Sequence, residues 1–296
     1  MTPSESFRRG LASALGAYVI WGLLPLYFKA LHNVPPLELV GWRVVFTLPV
    51  CLAIVWVRRQ FPELRLAIVN RRVLGLMTLS ALLIGSNWLI YVIAINSGHV
   101  LATSLGYYIN PLINVLLGTV FLGERLSRVQ WGAVLLAALG IALLLAGAVE
   151  TLAVALGLAF TFAFYGYVRK QAPVGAVPGL TIETAVLLLP AIIIAALAAQ
   201  SPTGSSLFAG GWTTPLMIAS GIATAVPLLL FAVAARSLPL STLGFVQFLS
   251  PTISFILGLT VFGETLDTTR LASFALIWLA IALYSWDMAK RARAAR

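Results

Sequence analysis

Cysteine, histidine and acidic side chains are scarce in this chain, and each scarcity removes a class of function. Cys51 is the only cysteine among 296 residues, so neither an intramolecular disulfide nor a thiolate metal site is available. The two histidines, His32 and His99, are far apart and read as solvated loop residues. Metal-binding, nucleotide-binding and hydrolase motifs of the H-E-x-x-H, Walker and G-x-S-x-G kinds are all missing. The expectation is therefore no metal, no cofactor and no enzyme. Charged residues make up only 9% of the chain.

What is abundant is apolar surface. Hydrophobic residues reach 60% and mean hydropathy is +1.00, more than a soluble fold of this size can bury. The net charge of +10 raises the possibility of nucleic-acid binding. Its basic residues, however, stand in short clusters between apolar runs of roughly 20 residues, the length that crosses a bilayer core, so no nucleic-acid partner is expected.

Ten spans are predicted, near 11–31, 35–57, 73–95, 100–122, 128–147, 151–168, 179–198, 213–235, 240–262 and 268–287. Lipid leaves backbone groups unsatisfied, and runs this long and uniform exclude barrel strands, so all are helices. The first follows Arg8-Arg9 like a leader peptide, but its apolar stretch is too long for one. With the N-terminus inside, sixteen of the 19 lysines and arginines fall on inner loops and tails. Lys29 and Arg270 fall outside, and Arg43 lies within the second span. That bias orients the chain with both termini in the cytoplasm of a bacterial inner membrane, the 59–71 loop inside and the 201–211 loop outside.

The chain also repeats itself. Pro111, Gly118, Gly123, Glu124 and Leu126 recur as Pro251, Gly258, Gly263, Glu264 and Leu266, all displaced by 140. Ile141-Ala142-Leu143 recurs as Ile281-Ala282-Leu283. Two units, 1–147 and 148–296, each hold five spans, so the second must run inverted relative to the first. Inverted repeats are a frequent plan for secondary transporters, with the solute site near midplane between the halves. In the repeated loop, Ser127 and Gln130 fit a capping box, Asp267 can cap the tenth span, and Gly123 and Gly263 suit turns. Glu124 and Glu264 read there as residues of a tight helix connection.

Residues in both halves resemble a known family. The runs Asn87-Trp88-Leu89-Ile90-Tyr91 and Ser104 through Leu112, with Gly123-Glu124, are similar to the RarD-type branch of the EamA transporters, in the drug/metabolite transporter superfamily. Tyr18, Trp21-Gly22, Pro25, Tyr27, Lys29, Glu38, Arg43, Pro227, Gly244, Gln247 and Pro251-Thr252 add to the likeness. The resemblance implies two inverted five-helix repeats around a central cavity, and export of small metabolites. Amino-acid exporters of the YddG kind share that architecture, and they suggest aromatic or neutral amino acids as solutes.

A carrier needs polar and aromatic groups facing a wet cavity at bilayer depth. Asn87 and Tyr91 share a helix face, with Trp88 beside them. Tyr107, Tyr108 and Asn110 lie in the outer half of the fourth span, with Asn114 just beyond its midpoint. The predicted substrate-binding set is Trp21, Asn87, Trp88, Tyr91, Tyr107, Asn110 and Gln247. Each has a plainer role available: core packing for the tryptophans, interfacial anchoring for the tyrosines, and a kink with a re-satisfied carbonyl at Asn110-Pro111. Pro111, Pro227 and Pro251 are candidate kinks or hinges. Glu38 and Arg43 can form a structural ion pair, the favoured reading over a clamp on a substrate carboxylate, with Glu183 near the place of Glu38 in the second repeat. No carboxylate is expected at mid-membrane and no fixed charge in the site. Those expectations favour a facilitator over a proton-coupled multidrug or cation carrier. A channel or membrane-embedded interaction protein is the competing class, separable by saturable counterflow. The expected partners are an amino-acid-like solute and the lipid bilayer; the sequence leaves oligomeric state open.

Overall fold

The computed structural model describes residues 3–97, 100–145, 152–202, 204–263 and 268–294. Within them the chain forms α1 (Pro3–Ala30), α2 (Pro36–Val57), α3 (Phe61–Val69), α4 (Arg71–Asn96), α5 (Val100–Phe121) and α6 (Arg128–Leu145). The second half forms α7 (Leu152–Gln171), α8 (Ala176–Ala199), α9 (Thr213–Ser237), α10 (Leu240–Gln247), α11 (Leu249–Thr260) and α12 (Thr268–Ala294). A short 3-10 turn covers Ser206–Phe208. Ten helical stretches are long and apolar enough to cross a membrane, α10 and α11 together making one of them. They match the ten predicted spans to within a few residues at most ends, the first starting earlier at Ser4.

The 59–71 segment is not a plain loop, as expected, but holds α3. This helix buries Leu64 and Ala67 while exposing Leu66 and Val69, so it is a one-sided helix packed on α4 and α8. Its shortness hid it from a search for membrane-length runs.

Local chemistry sets the helix ends. The Asn70 side chain accepts hydrogen bonds from the amides of Arg72 and Val73, at 3.0 and 3.2 Å, and caps α4. Ser127 and Gln130 form the predicted capping box: the Gln130 amide donates to Ser127 Oγ at 3.0 Å and the Ser127 amide to Gln130 Oε1 at 2.9 Å. Gly123 and Gly263 take positive φ of 66° and 69°, the left-handed turn that glycine tolerates. Asp267, Glu264, Leu266 and His99 lie outside the described residues, as does the expected 147/148 boundary between units.

Lipid-facing surfaces carry bare apolar side chains, such as Leu135 and Leu189. Between helices the contacts are close. A Cβ on Gly106 would stand 2.9 Å from the Ala155 carbonyl oxygen, and one on Gly140 would stand 2.8 Å from that of Ser273. These small residues let α5 approach α7 and α6 approach α12.

The neighbour pattern respects the sequence repeat. The two halves meet as α2 on α8, α5 on α10 and α6 on α12. The remaining contacts come in exchangeable pairs, α5 with α7 and α10–α11 with α1, then α4 with α7 and α9 with α1. Among the membrane-length helices one contact is unmatched. Helix α7 packs on α9, whereas α1 and α4, their counterparts, have no comparable contact. Between α1 and α4 lies the central cavity.

Candidate solute site

The cavity has a volume of about 460 Å³ and runs from mid-bundle to the end carrying the α1–α2 connection, where Leu31, His32, Val34 and Pro36 line it. Helix α1 contributes Tyr18, Trp21 and Phe28, α4 contributes Asn87, Trp88 and Tyr91, and α5 contributes Ser104, Tyr107 and Tyr108. Thr224, Gln247 and Pro251 close it from the second half. Six of the seven expected binding residues therefore share one space: Trp21, Asn87, Trp88, Tyr91, Tyr107 and Gln247. The tyrosines expected as possible interfacial anchors face inward, with the Tyr91 and Tyr107 rings 6.4 Å apart. His32, expected in plain solvent, stands at the cavity mouth.

Asn110 is placed differently from the expectation. It is fully buried behind the lining, and its Nδ2 donates to the Ala159 carbonyl at 2.7 Å. Its oxygen accepts from Asn114 Nδ2 at 3.0 Å, and Asn114 also donates to Gln247 Oε1 at 3.0 Å. An amide relay thus ties α5 to α7 and α10 and fixes Gln247 where it meets the cavity. Asn87 is similarly engaged, donating to Leu158 O and Thr161 Oγ1 at 2.9 Å each. Its amide nitrogen is committed to α7, because a buried amide donor left unpaired is costly.

The prolines divide. Pro111 and Pro227 sit inside continuous helices, whereas the helix breaks at Phe248, three residues before Pro251. That is where a proline ring crowds the preceding turn and removes its hydrogen bond.

The expected Glu38–Arg43 ion pair does not form. Residues five apart in a helix point in different directions. Glu38 is buried and accepts from Ser205 Oγ at 2.6 Å, the Ser206 amide at 2.8 Å and Ser206 Oγ at 2.7 Å. It anchors the α8–α9 connection. Arg43 turns into the cavity. Its Nε donates to Thr224 Oγ1 at 2.9 Å, and its guanidinium lies 5.5 Å from the Phe28 ring and 5.4 Å from the Trp88 ring. Tyr27, Tyr91 and Tyr107 surround it, and among the described residues no carboxylate pairs with it. The expectation of a site without fixed charge is therefore corrected. Arg43 was visible in the sequence as a rare charge inside a span, and of its two readings, an ion pair with Glu38 or a clamp on a substrate carboxylate, the nearby glutamate favoured the first.

A carboxylate nevertheless lies buried close to the site. Glu183 is 1% exposed and lies beyond the inner wall of the cavity, in a small void lined also by Thr47, Ile84, Trp88, Leu180 and Leu228. Ile84, Trp88 and Leu228 line both spaces. Its register differs from the expectation too. Helices α2 and α8 start at Pro36 and Ala176, so the displacement of 140 puts Glu183 opposite Arg43, not Glu38.

The far end of the bundle is fastened. Glu124, expected as a residue of a simple helix connection, reaches the other half and accepts from the Leu240 amide at 2.6 Å and the Ser241 amide at 2.9 Å. Glu63 accepts from the Gly175 amide at 2.8 Å, and Arg236 donates to the Val174 carbonyl at 2.6 Å. Charge-assisted bonds of this kind are the stronger ones.

Comparison with known proteins gives concordant results. The EamA-like transporter family matches residues 8–146. An uncharacterized transporter of Pseudomonas aeruginosa is 47% identical, covering 96% of this chain and 95% of its own length. The protein RarD of Salmonella typhimurium is 43% identical over 96% of this chain and 97% of its own, and RarD of Escherichia coli is 43% identical over 96% of both. A crystal structure superposes with a TM-score of 0.73 over 94% of this chain and 97% of the other, at 18% identity. That last likeness concerns the fold alone.

Proposed function

Because the chain belongs to the RarD-type branch of the EamA-like transporter family, we propose that the central cavity carries small carboxylate-bearing solutes, amino acids with apolar or aromatic side chains foremost, out of a bacterial cell. The observation that carries this reading is Arg43, an unpaired guanidinium in an aromatic cavity. A planar fork of donors matches a carboxylate bidentately, and such a charged bond gains strength where water is excluded. Trp21, Trp88, Tyr91 and Tyr107 offer ring faces for the rest of the solute. No aspartate or glutamate lines the cavity, so a zwitterion's ammonium group meets only neutral acceptors and rings. A lone cation in the cavity would meet Arg43 unopposed, which weighs against the alternative of multidrug or cation efflux. The volume, about 460 Å³, is in the range of small-molecule sites.

The route is alternating access. The halves 1–147 and 148–296 are related by an axis in the membrane plane, and the chain stands with both termini in the cytoplasm of the inner membrane. The unmatched contact supports this: with α7 on α9 and α1 apart from α4, one end is open and the other shut. Exchanging the conformations of the halves would close the first pair and open the second.

A proteoliposome panel tests the reading. Neutral and aromatic amino acids should show saturable counterflow, while quaternary ammonium compounds and chloramphenicol should not. Arg43→Gln should weaken apparent affinity by roughly 10–100-fold, the worth of one charged hydrogen bond. Transport of quaternary ammonium compounds that is indifferent to Arg43→Gln would sink it.

A further inference from the structure

Glu183 is a strange residue to keep in this bundle. Its Oε1 accepts from Ser80 Oγ at 2.5 Å and faces Arg169 Nη1 at 3.4 Å, while Oε2 has no hydrogen-bond partner. Arg169 Nε is also unpartnered, and the Tyr165 hydroxyl interacts with the Glu183 carboxylate without reaching good hydrogen-bond geometry. Arg169 and Glu183 are each 1% exposed. A buried ion pair rarely repays its desolvation unless its remaining donors and acceptors are satisfied. This pair is incompletely satisfied, so net stability does not account for its presence. Ionisable groups at membrane depth are costly and mark ion pathways or proton relays.

The placement gives the cluster a task. Arg169 clasps the closed end: its Nη2 donates to the Ala176 carbonyl at 3.1 Å, and its partner Glu183 lies about two turns further into α8. From Glu183 toward the open end, the next space is the solute cavity, separated by Trp88, Ile84 and Leu228. Trp88 also faces the Arg43 guanidinium. The carboxylate therefore touches the fastening on one side and the solute site's wall on the other.

We propose that Glu183 is a proton site, and that this carrier exchanges protons for solute. The reading rests on the solute cavity assigned above. A proton arriving through the open cavity adds to a lone pair of Oε2; no covalent bond breaks. The neutral acid no longer balances Arg169, the α7–α8 clasp loosens, and the closed end is free to open, where the proton leaves to water. Every titratable neighbour is compatible with this exchange. Helix α7 presents Arg169 and Tyr165, α4 presents Ser80, and α2 presents Cys51 and Thr47. Arg236 of α9 is bound to the Val174 carbonyl, and Glu63 of α3 to the Gly175 amide. Among the described residues, Glu183 is thus the carboxylate of this cluster whose second oxygen makes no hydrogen bond of good geometry, Tyr165 being its loose neighbour.

Two measurements decide it. Infrared difference spectra of the purified protein, taken across roughly pH 5 to 9, should contain a titrating carboxyl band that is missing in Glu183→Gln. A spectrum without such a band overturns the proposal whatever transport shows. In proteoliposomes with working counterflow, an imposed pH gradient should drive solute uphill, about tenfold per pH unit at one proton per solute. Glu183→Gln should keep counterflow and lose this accumulation, and Glu183→Asp should regain part of it. Wild-type counterflow that ignores the gradient, or accumulation that survives Glu183→Gln, overturns the proton site. Should Glu183→Gln fail to fold, the double variant Arg169→Gln/Glu183→Gln carries the same test without a stranded charge. Absence of counterflow with every carboxylate solute would sink the solute reading alone, and the infrared result would still decide this one.

Discussion

Arg43 and Glu183 hold the same register position in α2 and α8, yet they live in different surroundings. Arg43 faces a cavity that reaches the end of the bundle, held by one hydroxyl and two rings. Glu183 is sealed in packed helices beside a countercharge. The 140-residue sequence displacement thus relates opposite charges, one facing the open cavity and one enclosed among packed helices. The proposed solute role draws on the unpaired charge facing the cavity, and the proposed proton role on the incompletely satisfied pair.

The strongest way to break this comparison is to strand a charge at the shut end. Arg169→Gln should destabilise the protein by about 3–5 kcal/mol, since it leaves a buried carboxylate uncompensated. Thermal unfolding in detergent would read this, and Arg169→Gln/Glu183→Gln should recover most of the loss. Arg43→Gln, facing the cavity, should cost under about 1 kcal/mol on the same assay. Equal losses at the two sites would dissolve the distinction.

A smaller effect is expected from the fastening itself. Glu124→Gln removes the charge from the cap on Leu240 and Ser241, worth about 1–2 kcal/mol. In a Cys51→Ser background, Ser104→Cys at the exposed cavity wall should then label several-fold more slowly, as the population shifts away from the open state. Unchanged labelling would mean that Glu124 does not hold the shut end.

Smaller still is the loss of one ring from the site. Trp88→Ala should weaken apparent solute affinity several-fold, about 1 kcal/mol of ring contact, with expression intact. Trp286→Ala, exposed on α12 beside Lys290, should leave counterflow unchanged. The orientation of the whole comparison can be sharpened without altering transport at all. Ala209→Cys, in the exposed part of the α8–α9 connection, should react with impermeant reagents from outside the cell only. Reaction from the cytoplasm alone would invert the assigned topology.

Much of the fold was legible in the chain. Apolar run length gave ten spans because bilayer thickness and helical rise leave little choice. The 140-residue displacement predicted equivalent turns, and Gly123 and Gly263 both adopt positive φ. Six of the expected residues line one cavity because amides and rings at membrane depth need a wet or buried face. Asn110 was misplaced for a related reason: sequence marks a polar residue as inward, but not whether protein or solute takes its hydrogen bonds. Helix α3 was missed because nine residues carry too weak a pattern.

The sequence by itself determined the membrane class, the number of spans and the family. Only the tertiary structure decided the charges. Glu38 and Arg43 are near neighbours in the chain, but partnership depends on helical direction and on what the other half presents, here Ser205, Ser206 and Thr224. Whether Arg43 is free and Glu183 enclosed follows from which pair of helices has closed, and two packings of similar energy can share one sequence.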